Sequence, residues 1–563
     1  METPISHPFA LTGITLLISA FVYKFIIYPI FLSPLSKIPA AHPLAKVTSL
    51  WMQYQRWRHR DFDVIRDAFA RKGPYVRLGP NEMVVNSIEG IQSAYGVGQH
   101  NFDKHWSYEY FITHGTKNMF SSIGKDHGFR RRRIAGVYAK SFVQSSPHVR
   151  AILTSVLCER MLPLFTQSSN PAGLDLVPVL QSYALDFMSS FMFGLSRGLN
   201  FIRDEKAREY WFEEYNRAYP AKDMFWLLEV YPACTRFLCR LGFPLLPKGH
   251  DEAHDMFEKW ALGKIQESEQ ALNVQLQEKN DTSPGELPIL YNAVRTGIAK
   301  DAGIRDTEMG EFTPDHKQLC ELASECYDHL IATRDTFGTS FTYVIYEISR
   351  HQDAQDELRR ELLSIENPFV YTETSRSMPE PAALERLPFL NAVIKEGLRL
   401  RNNTPGSDPR VTPTHRATSS VGPVENLPPG VRVGAYAWCI HRNPDVFSNP
   451  TQWDPSRWID THSRGGVDSG IGSEVSSDSD RRPKEKGSKP DKWFFAFSGG
   501  SRGCVGQQTA VELMRYALAA MYTNFKTTIA DESQYPGDKG FVSGECTEKL
   551  FVRFERLDNG AAT

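Results

Sequence analysis

The chain has no C-x-x-C pair, and its eight cysteines lie scattered at positions 158, 234, 239, 320, 326, 439, 504 and 546. That spacing excludes an ordinary zinc module and a disulfide framework, and so sparse a set is what a reducing compartment leaves. Net charge is nearly absent too. Against 66 acidic residues stand 64 Lys and Arg, giving −2, so no global field recruits nucleic acid and a charged partner must use a local patch. Internal repeats are missing, which excludes a solenoid. The composition, 41% hydrophobic and 23% charged over 563 residues, is that of a globular protein long enough to bury a large core.

Long apolar runs are scarce, and the one present is at the start. "FALTGITLLISAFVYKFIIYPIF", Phe9 to Phe31, carries a single charge, Lys24, and matches the roughly 20 residues that cross a bilayer. A signal peptide would begin with basic residues, but Glu2 is the only charged side chain ahead of the run. Lys24, Lys37, Lys46, Arg56 and Arg58 follow instead, an asymmetry that places the downstream chain on the cytosolic side. The expected layout is a luminal N-terminus (1–8), a transmembrane anchor (9–31), a proline-stiffened linker (32–50) and a globular body (51–557).

Within the body, "YVRLGPNEMVVNS" (75–87) reads as a β-hairpin around Gly-Pro-Asn. From about 130 to 400 the periodicity is helical, as in "HQDAQDELRRELLSI" with Leu358, Leu362 and Ile365 on one side. Strand signals return in "GVRVGAYAW" (430–438) and near the end in "EKLFVRFERL". Residues 461–492 contain almost nothing apolar and read as a solvated insertion. The fold class expected is mainly α with a smaller β part, as a single large domain.

Just after that insertion comes "WFFAFSGGSRGCVGQQTAVELMRYALAAMY" (493–522), which contains Phe497-x-x-Gly500-x-Arg502-x-Cys504-x-Gly506. Average residue usage puts a chance match to these five positions at about one in ten thousand. An inert buried cysteine at a helix start is the ordinary alternative. The pattern resembles the haem-thiolate loop of the cytochrome P-450 family. The resemblance makes Cys504 the iron ligand, Arg502 a haem propionate contact and Phe497 a cover over the sulfur. An iron-bound sulfur must be a thiolate, which the helix expected to begin at Cys504 favours; glycines let N–H groups turn toward it.

Other motifs follow in the family's order. In "LPFLNAVIKEGLRLR" (387–401), Glu396 and Arg399 share a helix face within an apolar surround. Arg457 of "WDPSRW" stands where the family supplies a third member, with Ser456 replacing the usual Glu. By resemblance, Glu396, Arg399 and Arg457 form a structural lock behind the haem. A long helix, expected to be capped by Thr313 and Pro314, carries "ATRDTF" (332–337). That segment resembles the family's Ala-Gly-x-Asp-Thr-Thr, so Asp335 and Thr336 are the expected catalytic pair delivering protons to dioxygen. Thr333 in place of glycine and Phe337 in place of the second threonine depart from the pattern; bulk at Thr333 could narrow the oxygen groove. In "DHGFRRRRIAGVYAKSF" (126–142), His127 and Arg131 match a propionate-holding spacing, and the other arginines are expected on the surface where an acidic flavoprotein docks. One helix cannot aim four successive arginines the same way. Arg410 of "DPRVTP" is a second expected propionate contact. "HRNP" (441–444), Phe447 and Pro450 add to the resemblance, which runs from about residue 30 to 555.

The resemblance implies the haem-enclosing P-450 fold, heme b with an axial thiolate, and dioxygen and NADPH as co-substrates through a flavoprotein reductase. It also implies an endoplasmic reticulum membrane location and no nucleic-acid partner. Details such as "PLSKIPA" and "GPYVRLGPNE" look most like filamentous-fungal members acting on secondary metabolites, so the substrate class is an apolar small molecule. By family position its contacts come from 102–125, from 215–245 with Phe225, Trp226 and Tyr231, and from the stretch above the long helix. Two other functions stay open: a haem-thiolate isomerase or dehydratase needing no dioxygen, supported by Thr333 and Phe337, and a non-catalytic membrane haem-binding module.

Overall fold

The hairpin expected around Gly-Pro-Asn forms: Tyr75–Gly79 pairs antiparallel with Glu82–Val85, setting Val76 opposite Val84. In this computed structural model the described residues are 8–96, 102–167, 171–219, 231–278, 283–310, 312–372, 377–404, 406–459, 490–533, 535 and 549–558. The insertion read at 461–492 lies outside them except for its last three residues, as do Phe225 and Trp226. The chain divides into two compact units, each taken by itself below.

The first unit holds residues 1–105, 406–440 and 498–503. Its five-stranded sheet runs in the order 75–79, 82–85, 432–434, 410–411 and 103–104. The 82–85 and 432–434 strands are parallel, and the other neighbours are antiparallel. The strand signal at 430–438 is therefore only Arg432–Gly434, and Ala437–Ile440 turns into a short helix. Met52, Phe62, Ile65 and Phe69 from the helices Leu50–Trp57 and Asp61–Lys72 form a core with Val76, Leu78, Tyr436 and Trp438.

The N-terminal helix Pro8–Val22 continues as wider π-type turns over Tyr23–Leu32, and Thr12–Leu32 is long and apolar enough to cross a membrane. The segment read as a proline-stiffened linker is packed down. Prolines open two 3-10 turns, Pro34–Lys37 and Pro43–Lys46, which bury Leu35 and Ala45. The chain then bonds to the hairpin strand, Ala41 N–H to Arg77 O and Arg77 N–H to Pro39 O, both 2.9 Å.

The second unit holds 106–405, 441–497 and 504–563 and is helical around one large core. A three-stranded antiparallel sheet, in the order 174–175, 551–556, 525–531, closes one edge and includes the C-terminal strand read from the sequence. The long helix is His316–Thr333, a π turn over Arg334–Gly338, then Thr339–Arg350. Its cap is Asp315 rather than Thr313: the Asp315 carboxylate accepts Gln318 N–H at 2.8 Å and Gln318 Oε1 accepts Asp315 N–H at 2.9 Å, a reciprocal box that outcompetes a single hydroxyl. At Gly338 the almost wholly buried helix Leu176–Phe193 crosses so closely that a Cβ would meet Gln181 Cα at 2.9 Å.

Candidate functional site

Cys504 lies three residues before the helix Gln507–Asn524, not at its first residue as expected. Its N–H donates to Phe497 O at 3.0 Å, closing the loop, and its side chain is exposed. Desolvation by the protein packed around it raises the thiol's pKa, opposed by the N–H groups of Gly506 and Gln507 and by the Arg131 guanidinium. The orphan donors of a helix N-terminus thus converge on the sulfur. Gly506 is not needed for its backbone: φ is −82°, open to any residue. A Cβ there would lie 3.9 Å from Cys504 Sγ and 4.0 Å from the ring of Tyr138, so the glycine leaves room beside the sulfur.

The structure brings Glu396, Arg399 and Arg457 together. Arg399 and Glu396 are fully buried and paired through two contacts, Nε to Oε2 at 2.8 Å and Nη2 to Oε1 at 2.7 Å. Arg457 Nε donates to Glu396 Oε1 at 3.0 Å. The desolvation such a pair incurs is offset only if the remaining donors and acceptors are used, and here they are. Glu396 also accepts from Trp458 Nε1 (2.8 Å) and Asp454 N–H (2.9 Å). Arg399 also donates to the carbonyls of His441 and Pro450, both at 2.7 Å, and of Gln452 at 3.0 Å. His441 completes the lattice: its Nε2 accepts Phe495 N–H at 2.8 Å, which leaves the proton on Nδ1 to donate to Arg399 O at 3.0 Å.

Along the long helix every residue from Leu322 to Ser349 is buried except Ala332, Thr333 and Thr336. These three form an accessible patch at i, i+1 and i+4 on one face. Thr336 Oγ1 donates to Ala332 O at 2.7 Å and Thr333 Oγ1 to His329 O at 2.8 Å. Phe337 points the other way, packed on Tyr183 and Phe341 at 5.7 and 5.6 Å between ring centres. Asp335 is buried, and its carboxylate accepts from Tyr215 Oη and, at 2.7 Å, from Arg334 Nη1. Burial raises the Asp335 pKa, and Arg334 and Tyr215 pull it back. Asn403 Nδ2 bonds Asp335 O at 3.2 Å, serving a carbonyl of the π turn.

On the helix Gly124–Ile134, His127 is buried and Arg131 half-buried. The neighbouring arginines diverge, as one helix requires. Arg130 pairs with Glu321 (2.9 Å) and Glu325 (3.6 Å), and Arg133 pairs with Glu321 (2.6 Å) and Asp301 (2.8 Å). Only Arg132 of these three is exposed, stacked over Phe129. Two of the arginines expected to face a docking partner are thus engaged internally.

In the first unit, Arg410 is buried, forked onto Asp408 at 2.8 and 3.1 Å, and lies over the Tyr95 ring. Arg502 meets Asp103 at 3.5 Å. Burial lowers the Arg502 pKa, as does the like charge of Arg410, while Asp103 raises it. Gly500 is obligatory: φ is +65°, and a Cβ would fall 2.2 Å from Tyr95 O and 2.3 Å from Gly96 O.

Haem is the group the motif implies, and the residues present fit it. Cys504 combines an exposed sulfur with an N–H cradle, a glycine beside it leaves space, and the long helix keeps an accessible patch in a buried setting. Of the segments expected to touch substrate, Tyr108, Phe111 and Phe120 form an edge-to-face cluster, and Tyr231 is exposed at the start of the helix Pro232–Arg240. Sequence reasoning missed Tyr215, Arg334 and Asn403 around Asp335, and Trp458 on Glu396. Of these, Trp458, adjacent to Arg457, and Arg334, adjacent to Asp335, left a local signal.

The family model described as "Cytochrome P450" matches residues 39–547. Among curated proteins the chain is similar to the cytochrome P450 monooxygenase avaI of Aspergillus versicolor, 25% identical over 79% of this chain and 94% of that one. It is also similar to the cytochrome P450 monooxygenase oblB of Emericella variicolor (25%; 96% and 89%) and to macH of Penicillium terrestre (24%; 89% and 88%).

Proposed function

Because this chain belongs to the cytochrome P450 family of monooxygenases, we propose that it inserts one oxygen atom of dioxygen into an apolar small molecule, a secondary-metabolite intermediate. Electrons come from NADPH through a flavoprotein reductase. Bound haem supplies the oxygen activation; the roles below belong to the chain. Cys504 holds the iron as a thiolate, with Gly506 and Gln507 N–H groups and Arg131 offsetting its charge. Phe497, Gly500 and Gly506 shape the loop around it. His127, Arg131, Arg410 and Arg502 hold the propionates. Thr336, on the accessible patch, and Asp335 handle protons. Glu396, Arg399 and Arg457 keep the segment before the cysteine loop in place. The apolar helix Thr12–Leu32 anchors the protein in the endoplasmic reticulum membrane with the body in the cytosol.

The observation that carries this reading is Cys504, exposed at the head of a helix within the full Phe497-to-Gly506 pattern. Purified protein should be coloured, and its reduced, carbon-monoxide-treated form should show the red-shifted Soret band of thiolate ligation. Cys504→Ser should lack that band, and a wild-type protein without it overturns the reading. The oxygen-independent alternative rested on Thr333 and Phe337. Phe337 belongs to the core, and turnover without NADPH or dioxygen would be needed to favour it.

A further inference from the structure

Asp335 and Thr336 are adjacent, yet their side chains serve different neighbours. Thr336 lies on the accessible patch and bonds back to its own helix, whereas Asp335 is buried with donors on its carboxylate. Both carboxylate oxygens are engaged, Oδ2 by Tyr215 Oη and Oδ1 by Arg334 Nη1 at 2.7 Å. The Arg334 guanidinium is itself stacked on Phe212 and Tyr215, 4.6 and 4.3 Å from their ring centres, and reaches Asn216 Oδ1 at 3.5 Å. Phe212, Tyr215 and Asn216 are spaced i, i+3, i+4 on the helix Glu205–Ala218, so they present one face. Arg334 and Asp335, the first two residues of the π turn over Arg334–Gly338, both meet that face.

We propose that Tyr215 is a positioning residue for Asp335: its hydroxyl, with the stacked Arg334, fixes the carboxylate to the 205–218 helix and restrains its exchange of protons with Thr336. This rests on the haem-monooxygenase reading. A carboxylate gripped on both oxygens by charge-assisted bonds is a poor mobile carrier, because moving it breaks both at once.

The test uses the full-length protein in lipid nanodiscs with reductase and NADPH but no substrate. Tyr215→Phe should raise NADPH consumption and hydrogen peroxide release together, by about three-fold or more, with two electrons from each NADPH reducing one dioxygen. The gain should vanish in Tyr215→Phe/Asp335→Asn. A merely structural tyrosine would lower turnover or leave it alone. A second readout is independent of turnover: amide hydrogen exchange over 205–218 should quicken about ten-fold in Tyr215→Phe and in Asp335→Asn, and no further in the double variant. Tyr210→Phe, on the same helix but 60% exposed, is the neutral control. Wild-type peroxide release in Tyr215→Phe overturns the proposal, as does unchanged exchange in Asp335→Asn, which also decides the matter should Tyr215→Phe lose haem. Absence of the red-shifted Soret band in wild type sinks the haem reading instead, and the exchange data then judge the Tyr215–Asp335 tie alone.

Discussion

Arg77, on the first strand of the hairpin, donates from Nη1 to the main-chain carbonyl of Pro29 at 2.8 Å. The same fully buried guanidinium reaches the carbonyls of Gly79 and Pro80 at 2.9 Å and of Lys46 at 3.2 Å. One side chain thereby joins the C-terminal part of the apolar helix, the proline segment and the sheet. Burial lowers its pKa to about 10, so it keeps its charge at neutral pH. Arg77→Met leaves four carbonyls without this donor and should cost about 3 kcal/mol. The measurement is a lowered thermal midpoint together with faster proteolysis between residues 33 and 48, which Arg77→Lys restores only in part.

His441 gives a pH dependence with a definite sign. Burial, with help from Arg399 and Arg442, pushes its pKa down to about 3, against about 6.5 in an unfolded chain. Above the unfolded value both states are neutral and the contribution is complete. As pH falls through 6.5 toward 3 the unfolded chain takes up a proton that the folded one refuses, and stability drops by about 1.4 kcal/mol per pH unit. Thermal midpoints measured from pH 7 to pH 5 should show this slope, and His441→Gln should flatten it by about one proton.

Glu396→Gln tests the ion lattice. It leaves the Arg399 charge buried with a neutral partner, which should cost about 3–5 kcal/mol. Thermal unfolding and the haem-loaded fraction should fall together. Arg399→Lys should do nearly as much damage, since a single ammonium cannot span Glu396 and the carbonyls of His441, Pro450 and Gln452.

The two glycines of the cysteine loop should part company. Gly500→Ala forces a Cβ into Tyr95 O and Gly96 O at a positive φ, so folded yield should collapse. Gly506→Ala meets only ordinary contacts at 3.9 and 4.0 Å. It should fold, and its Soret band should shift because the new methyl lies against the sulfur. Equal behaviour of the two variants would refute the distinction.

What could be read beforehand was whatever short spacing encodes. The Gly-Pro-Asn hairpin, the Glu396–Arg399 pair and the loop from Phe497 to Gly506 each state their geometry within a dozen residues. Arg457 followed because its segment keeps a recognisable order. Tyr215 did not, because its partner Asp335 lies 120 residues away and an aromatic residue in an aromatic helix announces only a core. Thr313 looked like a cap because a hydroxyl before proline is a common start, and the stronger box at Asp315 and Gln318 displaced it. Prolines mark 32–50 as a stiff linker, but no spacing in it announces that Leu35 and Ala45 are buried.

The run of four arginines at 130–133 has an effect that its sequence hides. With Arg130 and Arg133 neutralised by Glu321, Glu325 and Asp301, half of that local charge is cancelled before it projects a field into solvent. An approaching acidic protein would feel less pull from this stretch at long range than four arginines suggest, so the encounter rate there should vary less steeply with ionic strength. Recognition would then depend on how well the surfaces match once they touch.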